Sequence, residues 1–569
     1  MEQFDKKNLV IFALAAGLIF YGFHHFFDKP RLERMAAESK VTEQANPKTT
    51  AESAESAVKA PGLTAAIEPV PTIVEKKIKI NSDKLEGTLS SKGFRLSNLT
   101  LKDYRETTDP NSPNVQLLKK NGDGNDFYAE FGWVAPAQNT KTPDNSSSWS
   151  TKDGPLTSSD PVEMVWDNGE GVRFKRTIEV DDKYMFTIRQ TVENNSGKTV
   201  EVKPYGLVSR HNPETLGFMV LHEGPIGYME DKLQEVKYED LDKEGKKAFL
   251  TKGGWLGITD KYWLAALIPD QKINVKASYK SIDSREGKIY QTDYIEPVTR
   301  IESGKNFTST SRFFAGAKSL ELLDDYENIN NIPHFDLAID FGWFYFITKP
   351  LFFAIKWLYD VLGNFGLAII ALTILIRLSF YPLASQSFKS MARMREIQPE
   401  MERMKKTYGD DKAKLQQATM EMYKKNKINP VSGCVPMLIQ IPVFFALYKV
   451  LFVTIEMRQA PFFGWLKDLS APDPTSLFNL FGLIPWDPPS MLQIGVLPIL
   501  MGVSMFFQQK LNPQPTDPIQ AKVFAFLPLI FTYMLAHFPA GLVLYWICSN
   551  VFSMFQQMAV RKNSKKVKK

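Results

Sequence analysis

The sequence predicts a polytopic α-helical membrane protein that carries a large β domain outside the bilayer. Three observations predict it. Long apolar runs crowd together after about residue 340, yet mean hydropathy over all 569 residues is −0.22, so polar material must dilute them. Between residues 73 and 317, short runs of alternating apolar and polar residues recur between Gly, Asn, Asp and Pro clusters, the period of half-buried strands. Basic residues sit beside particular apolar runs. Residues 385–430 hold eleven Lys or Arg against six Asp or Glu, residues 561–569 hold six basic residues and no acid, and residues 456–490 hold two basic residues.

The elements follow in order. Residues 9–27 are uncharged and long enough for about 30 Å of hydrocarbon. The run continues past the small residues Ala13–Ala16, which predicts an uncleaved signal anchor within residues 1–29 rather than a removed leader. Residues 30–72 are rich in Ala, Glu, Ser, Thr, Lys and Pro, a composition that predicts a flexible tether. Residues 73–333 form the β domain. "FKRTIEVDDKYMFTIRQTVEN" predicts two strands joined around Asp181 and Asp182, and "YWLAALIP" a buried strand. "SGKT" at residues 196–199 resembles the end of a phosphate-binding loop, but Val192 stands where that loop needs glycine, and the residues after it alternate like a strand.

Residues 334–361 are aromatic and apolar but broken by Lys349, Pro350 and Lys356. The two lysines, seven residues apart, share one helix face, so this segment should lie in the membrane interface. Spans are predicted near 362–383, 431–455, 492–507, 523–538 and 541–558, the last two separated by Pro539-Ala540-Gly541. With the anchor this makes six. Basic loops belong in the cytoplasm, which places both termini inside and the β domain outside. Residues 385–428 predict two cytoplasmic helices joined at Gly409-Asp410-Asp411, with Met391, Met394, Met401, Met404 and Met422 at helical spacing. Residues 559–569 are a basic cytoplasmic tail.

Several function classes are excluded. A net charge of +6 is too small for a general nucleic-acid binder of this length, and two cysteines, Cys434 and Cys548, rule out a disulfide framework. Neither a metal-ligand cluster nor a catalytic set is read from the sequence, and no cofactor is called. The informative residues are polar ones inside the spans. Arg377 stands in an apolar run at an insertion cost of roughly 2.5–3.5 kcal/mol. Thr373 and Tyr381 lie four residues to either side of it. The third span contributes Gln440 and Tyr448, and the last places Trp546, Ser549, Asn550, Ser553 and Gln557 on one face. Singly, Arg377 reads as a snorkelling cation and the others as packing residues. Together they predict a polar groove within the membrane.

"RLSFYPL", "SGCVPMLIQIPVFFALY", "RQAPF" and "FPAGLVLYWICSN", in this order and spacing, resemble the YidC/Oxa/Alb family of membrane-protein insertases over essentially the whole chain. The resemblance implies a five-helix insertase core with a hydrophilic groove in a bacterial inner membrane, and the short fourth and fifth predicted spans should thin that bilayer locally. It also implies a periplasmic β domain similar to the supersandwich of sugar mutarotases. Clients would be nascent membrane proteins, and partners the Sec translocon (with SecDF), the ribosome and its RNA, and membrane lipids. Arg377, Thr373 and Trp546 would line the groove with Gln440 and Tyr545 nearby, and the polar face of the last span adds Ser549 and Asn550. The methionine stripe of the hairpin reads as packing or as an adaptable surface that docks clients or partners. Trp546 stands where the family pattern has a tyrosine. Lys449 replaces an aromatic residue and reads as a cation snorkelling outward. A solute transporter, or a membrane-anchored carbohydrate enzyme, remains the alternative. The spans show no internal repeat favouring the first, and the second would concentrate its chemistry in the β domain.

Overall fold

The computed structural model describes residues 76–567, apart from 121–123, 137–139, 216–220, 343, 410, 427–434, 487, 490–491 and 513–517. The predicted anchor and tether lie outside the described residues.

Two antiparallel sheets form the β domain. The first, of ten strands, runs in space from Lys77–Asn81 through Leu85–Ser90, Arg95–Arg105, Phe127–Val134, Val200–His211, Gly287–Ile295 and Asn274–Ser284 to Lys246–Lys252. The second, of nine, has Trp255–Thr259, Trp263–Ile268, Lys305–Ala317, Met185–Asn194 and Val172–Val180 at its centre. Alternation builds the strands. Val172–Val180 buries every second residue, and so does its partner Met185–Asn194. The turn joining them is set by Asp181, whose carboxylate accepts the backbone N–H groups of Lys183 and Met185 at 2.9 Å each. Trp263–Ile268, flanked by two other strands in the second sheet, is buried on both faces, which explains its continuous apolar sequence. Aromatic contacts join the sheets: Phe131 of the first meets Phe313 of the second edge to face at 6.1 Å.

Ten α-helices are found among the described residues: α1 (Tyr238–Glu244), α2 (Leu320–Asn330), α3 (Tyr345–Leu362), α4 (Phe365–Ser379), α5 (Tyr381–Tyr408), α6 (Lys412–Lys425), α7 (Val435–Val453), α8 (Val496–Leu511), α9 (Pro518–Leu535) and α10 (Ala540–Val567). The helix α5 ends at Tyr408 and α6 begins at Lys412, while α9 ends at Leu535 and α10 begins at Ala540. The span predicted near 362–383 does not continue as one helix. Pro382 has no N–H to donate one turn back, so α4 stops at Ser379 and α5 departs at 68° with Pro382 in its first turn. No single helix among the described residues is long and apolar enough to cross a membrane; α4 and α5 meet that measure only as a bent pair.

The helix α3 forms in the predicted segment, with its lysines engaged. Lys349 bonds Asp324 at 3.2 Å and Asp336 at 2.7 Å, and Lys356 bonds Glu321 at 3.0 Å. This face therefore docks on α2 and the short turn Phe335–Ala338, while Phe346, Phe353 and Trp357 remain exposed on α3.

Candidate functional site

The helix α4 starts at Asn364, whose side chain accepts the Leu367 N–H at 3.1 Å, and carries Thr373 and Arg377 toward its far end. It packs on α10, and α7 closes over the same place. Arg377 turns inward and donates to the Ser549 hydroxyl. Gln440 donates to Ser549 at 3.0 Å and to the Tyr545 hydroxyl at 3.3 Å. Gln556 donates to the Arg377 carbonyl oxygen at 3.1 Å. A narrow recess, with about 480 Å³ of non-atomic space including its open mouth, is walled by Thr373, Arg377, Gln440, Tyr545 and Gln556 together with apolar residues of α4, α5 and α7. Among the described residues no carboxylate pairs with Arg377. The guanidinium thus faces the recess with neutral partners only, and its positive charge is unbalanced locally.

The predicted set divides. Arg377, Gln440, Tyr545 and Ser549 come together in one hydrogen-bonded group. Thr373 lines the recess, but its hydroxyl is already given to the Ile369 carbonyl oxygen at 2.7 Å. Asn550 points the other way and donates to Ser504 of α8 at 3.0 Å. Trp546 packs between Phe444, at 5.1 Å, and Phe531, at 5.6 Å, as part of the helix core. Gln557 reaches the end of α8, at the Leu511 carbonyl oxygen and Asn512. Tyr448 stacks on Phe452 rather than joining the polar residues.

The methionines mostly form the seam of the hairpin. Met394, Met401 and Met404 of α5 pack around Ile397 and Met422, while Met391 packs against Ala384, Phe388 and Val560 of α10.

Lys449 does not snorkel. Its ammonium bonds the Asp340 carboxylate at 2.8 Å, with both side chains nearly buried. Asp340 also accepts the His222 backbone N–H at 3.0 Å, which carries the contact into the β domain. Gly342 sits at φ +70°, and a Cβ there would come within 3.0 Å of the Lys449 stem, so glycine permits the approach.

Sequence reasoning missed Gln556, Ser504 and Asp340. Gln556 had a signal: Ser549, Ser553 and Gln556 follow at i, i+4 and i+7, one helix face. Asp340 had none, because nothing local in sequence relates it to Lys449.

The fold and the recess define a class: an apolar helical core with a polar recess, joined to a β sandwich. Residues 77–354 match the family model described as the YidC periplasmic domain, and residues 357–568 the one described as the 60Kd inner membrane protein. A relative from Rickettsia rickettsii, "Membrane protein insertase YidC", is 45% identical over 98% of this chain and 99% of its own length. One of the same name from Nitrobacter hamburgensis is 46% identical over 99% of this chain and 96% of its own. A crystal structure of an active YidC insertase, with its first transmembrane domain resolved, covers 85% of this chain and 92% of that one at 18% identity, with a TM-score of 0.35. The chain belongs to the YidC family of membrane protein insertases.

Proposed function

We infer that this protein inserts membrane proteins into the bacterial inner membrane, receiving a client's polar tail in the recess while the client's apolar segment stays beside it in lipid. One observation carries the reading: Arg377 is turned inward, beside neutral partners, in a recess among apolar helices. A cation held there costs free energy unless an anion comes to meet it. An acidic residue of a client is such an anion. The helices α4 and α8, with 15 and 16 residues, are about 22–24 Å long. That is short of the usual hydrocarbon thickness and reduces the distance a polar tail must cross. Lys389, Arg393 and the basic end of α10 suit contact with anionic lipid or ribosomal RNA, which agrees with a cytoplasmic hairpin, cytoplasmic termini and a periplasmic β domain. In this reading client hydrophobicity drives insertion, with the Sec translocon an additional partner for some clients.

The test uses one client with either an acidic or a neutral tail residue, in wild-type, Arg377→Lys and Arg377→Ala backgrounds. The acid-tailed client should lose on the order of tenfold in translocation with Arg377→Ala, the scale of one charge-assisted contact, and recover most of it with Arg377→Lys. Equal translocation of both tails by wild type and Arg377→Ala would sink the electrostatic role and leave a hydrated recess and thinning as the contributors.

A further inference from the structure

Between α7 and α8 the chain makes a long excursion, residues 454–495, on the same side as the β domain. The Arg458 guanidinium donates to the Arg105 carbonyl oxygen at 2.5 Å, and the Gln459 amide to the same oxygen at 3.1 Å. Most of this excursion is pinned. Asp473 is buried at the start of α8: it accepts the Leu497 N–H at 2.8 Å and the Trp465 indole N–H at 3.1 Å. The next stretch is held to the approach of α8 by the Leu477 N–H, which bonds the Ile494 carbonyl oxygen at 2.9 Å, and by the Ser476 hydroxyl, which bonds that of Leu492 at 3.0 Å.

The tip beyond this base has the opposite character. Residues 474–486, "PTSLFNLFGLIPW", contain no charged side chain. Leu480, Phe481, Ile484 and Trp486 are exposed there, and Leu483 shows 83% of its surface. Leu480 and Phe481 hold φ of +48° and +59°, a backbone region that favours glycine. The chain thus accepts strain in a turn that presents leucine and phenylalanine outward. Such strain persists only where the surroundings or the function hold it.

We propose that this tip is a membrane anchor, buried among the lipids of the leaflet on the β-domain side. Lipid is the occupant that fits. The tip is hydrogen-bonded at its base to the residues that lead into α8, so it leaves the chain at the depth where that helix enters the bilayer. Uncharged apolar side chains with a tryptophan at the rim suit the boundary of headgroups and acyl chains. Anchored there, the tip holds the excursion, and through Arg458 the β domain, at a fixed height over the helices. The proposal rests on α8 being embedded in the membrane, which the test reads separately.

The full chain, carrying Cys434→Ser and Cys548→Ser, is labelled at a single introduced cysteine with an environment-sensitive fluorophore and reconstituted into phosphatidylethanolamine–phosphatidylglycerol vesicles. The positions are Leu483→Cys at the tip, Leu500→Cys on the exposed side of α8, and Asn111→Cys in an exposed turn of the β domain. The tip label should be quenched by lipids bearing a shallow nitroxide. Quenching of it by aqueous iodide should be at least fivefold weaker than at Asn111→Cys. Ile484→Cys should repeat the result if Leu483→Cys reconstitutes poorly. If Leu500→Cys responds to the lipid quencher while both tip labels respond only to iodide, the anchor is wrong and the embedding of α8 stands; the tip would then face water or await a protein partner. If Leu500→Cys also responds only to iodide, both fall.

Discussion

Removing the Lys449 ammonium should loosen the junction between α7 and the β domain, and the structure sets the size of the effect. Lys449 and Asp340 are 2.8 Å apart, and their side chains are 13% and 14% exposed. Breaking a fully buried pair by deleting one partner costs about 3–5 kcal/mol, because a charge is left uncompensated. An exposed pair is worth about 0–1 kcal/mol. This pair lies nearer the buried limit, but Asp340 keeps the His222 N–H and the nearby Lys318 ammonium. A loss of about 2–3 kcal/mol is therefore expected for Lys449→Met, with a similar loss for Asp340→Asn. The double substitution removes both charges of the pair and leaves buried Lys318 with its other carboxylate neighbours, so it should cost clearly less than the two single losses added together. Amide exchange by mass spectrometry in nanodiscs reads local opening. A loss of 2–3 kcal/mol corresponds to roughly 30–150-fold faster exchange at the buried end of α7 when exchange follows the opening equilibrium. Exchange within about threefold of wild type for both single variants would refute the coupling. So would a double variant whose acceleration equals the product of the two single accelerations, since the side chains would then contribute independently.

Two further outcomes concern the β domain. Burial pushes the Glu296 carboxyl up to about 7, against the relief given by the Ser309 hydroxyl at 2.6 Å. A pKa raised in the folded state gives stability that is complete below the unfolded value near 4.5 and is lost as pH rises through 7. The full chain in detergent should lose on the order of 2–3 kcal/mol over that window by near-ultraviolet dichroism, and Glu296→Gln should flatten the dependence; an unchanged slope would reject the assignment. Arg176 is fully buried against the Phe94 ring at 3.9 Å, and its Nε and Nη1 have no hydrogen-bond partner among the described residues. Arg176→Met should consequently change stability by less than about 2 kcal/mol in either direction, whereas Arg176→Ala should cost about 3–5 kcal/mol by opening a cavity. Equal losses for both variants would make the charge, not the volume, the stabilising feature.

Much of this architecture is legible in the sequence because its causes are local. The turn at Asp181, the buried strand at Trp263 and the methionine seam follow from period, polarity and turn chemistry. The recess is legible in part. Periodicity places Ser549 and Asn550 on neighbouring positions of α10, but it does not say which helix lies opposite each. Ser549 meets α4 and α7, while Asn550 meets α8. Thr373 shows the same limit. Its position faces the recess, yet a threonine in a helix can satisfy its hydroxyl one turn back, which removes it from the chemistry without moving it. Lys449 was misread because a cation in an apolar run has two stable solutions, a headgroup or a buried carboxylate. Only the arrival of Asp340 from a distant segment decides between them.

The bonds around the helices are distributed unequally, and this bears on how the recess can open. At the β-domain end, α3 is held by Lys349 and Lys356, α7 by Lys449, and the excursion after α7 by Arg458 and Gln459. Most of these contacts pair opposite charges or place a cation on a carbonyl oxygen, which makes them the stronger kind of hydrogen bond. Arg377 lies thirteen residues beyond Asn364, about 20 Å along α4. There α4, α7 and α10 meet through a few bonds from Arg377, Gln440 and Gln556 to neutral oxygen atoms, with no ion pair at Arg377 among the described residues. Among these residues α4 and α7 are joined at the Arg377 end only by way of α10, through hydrogen bonds to neutral oxygen atoms, whereas α3 and α7 are tied to the β-domain side by ion pairs. On the proposed reading, a client carboxylate approaching Arg377 would compete with one serine hydroxyl and gain a charge-assisted bond in exchange. On that reading a polar tail would enter at the Arg377 end, where only hydrogen bonds to neutral acceptors must break, while the ion pairs on the β-domain side stay formed.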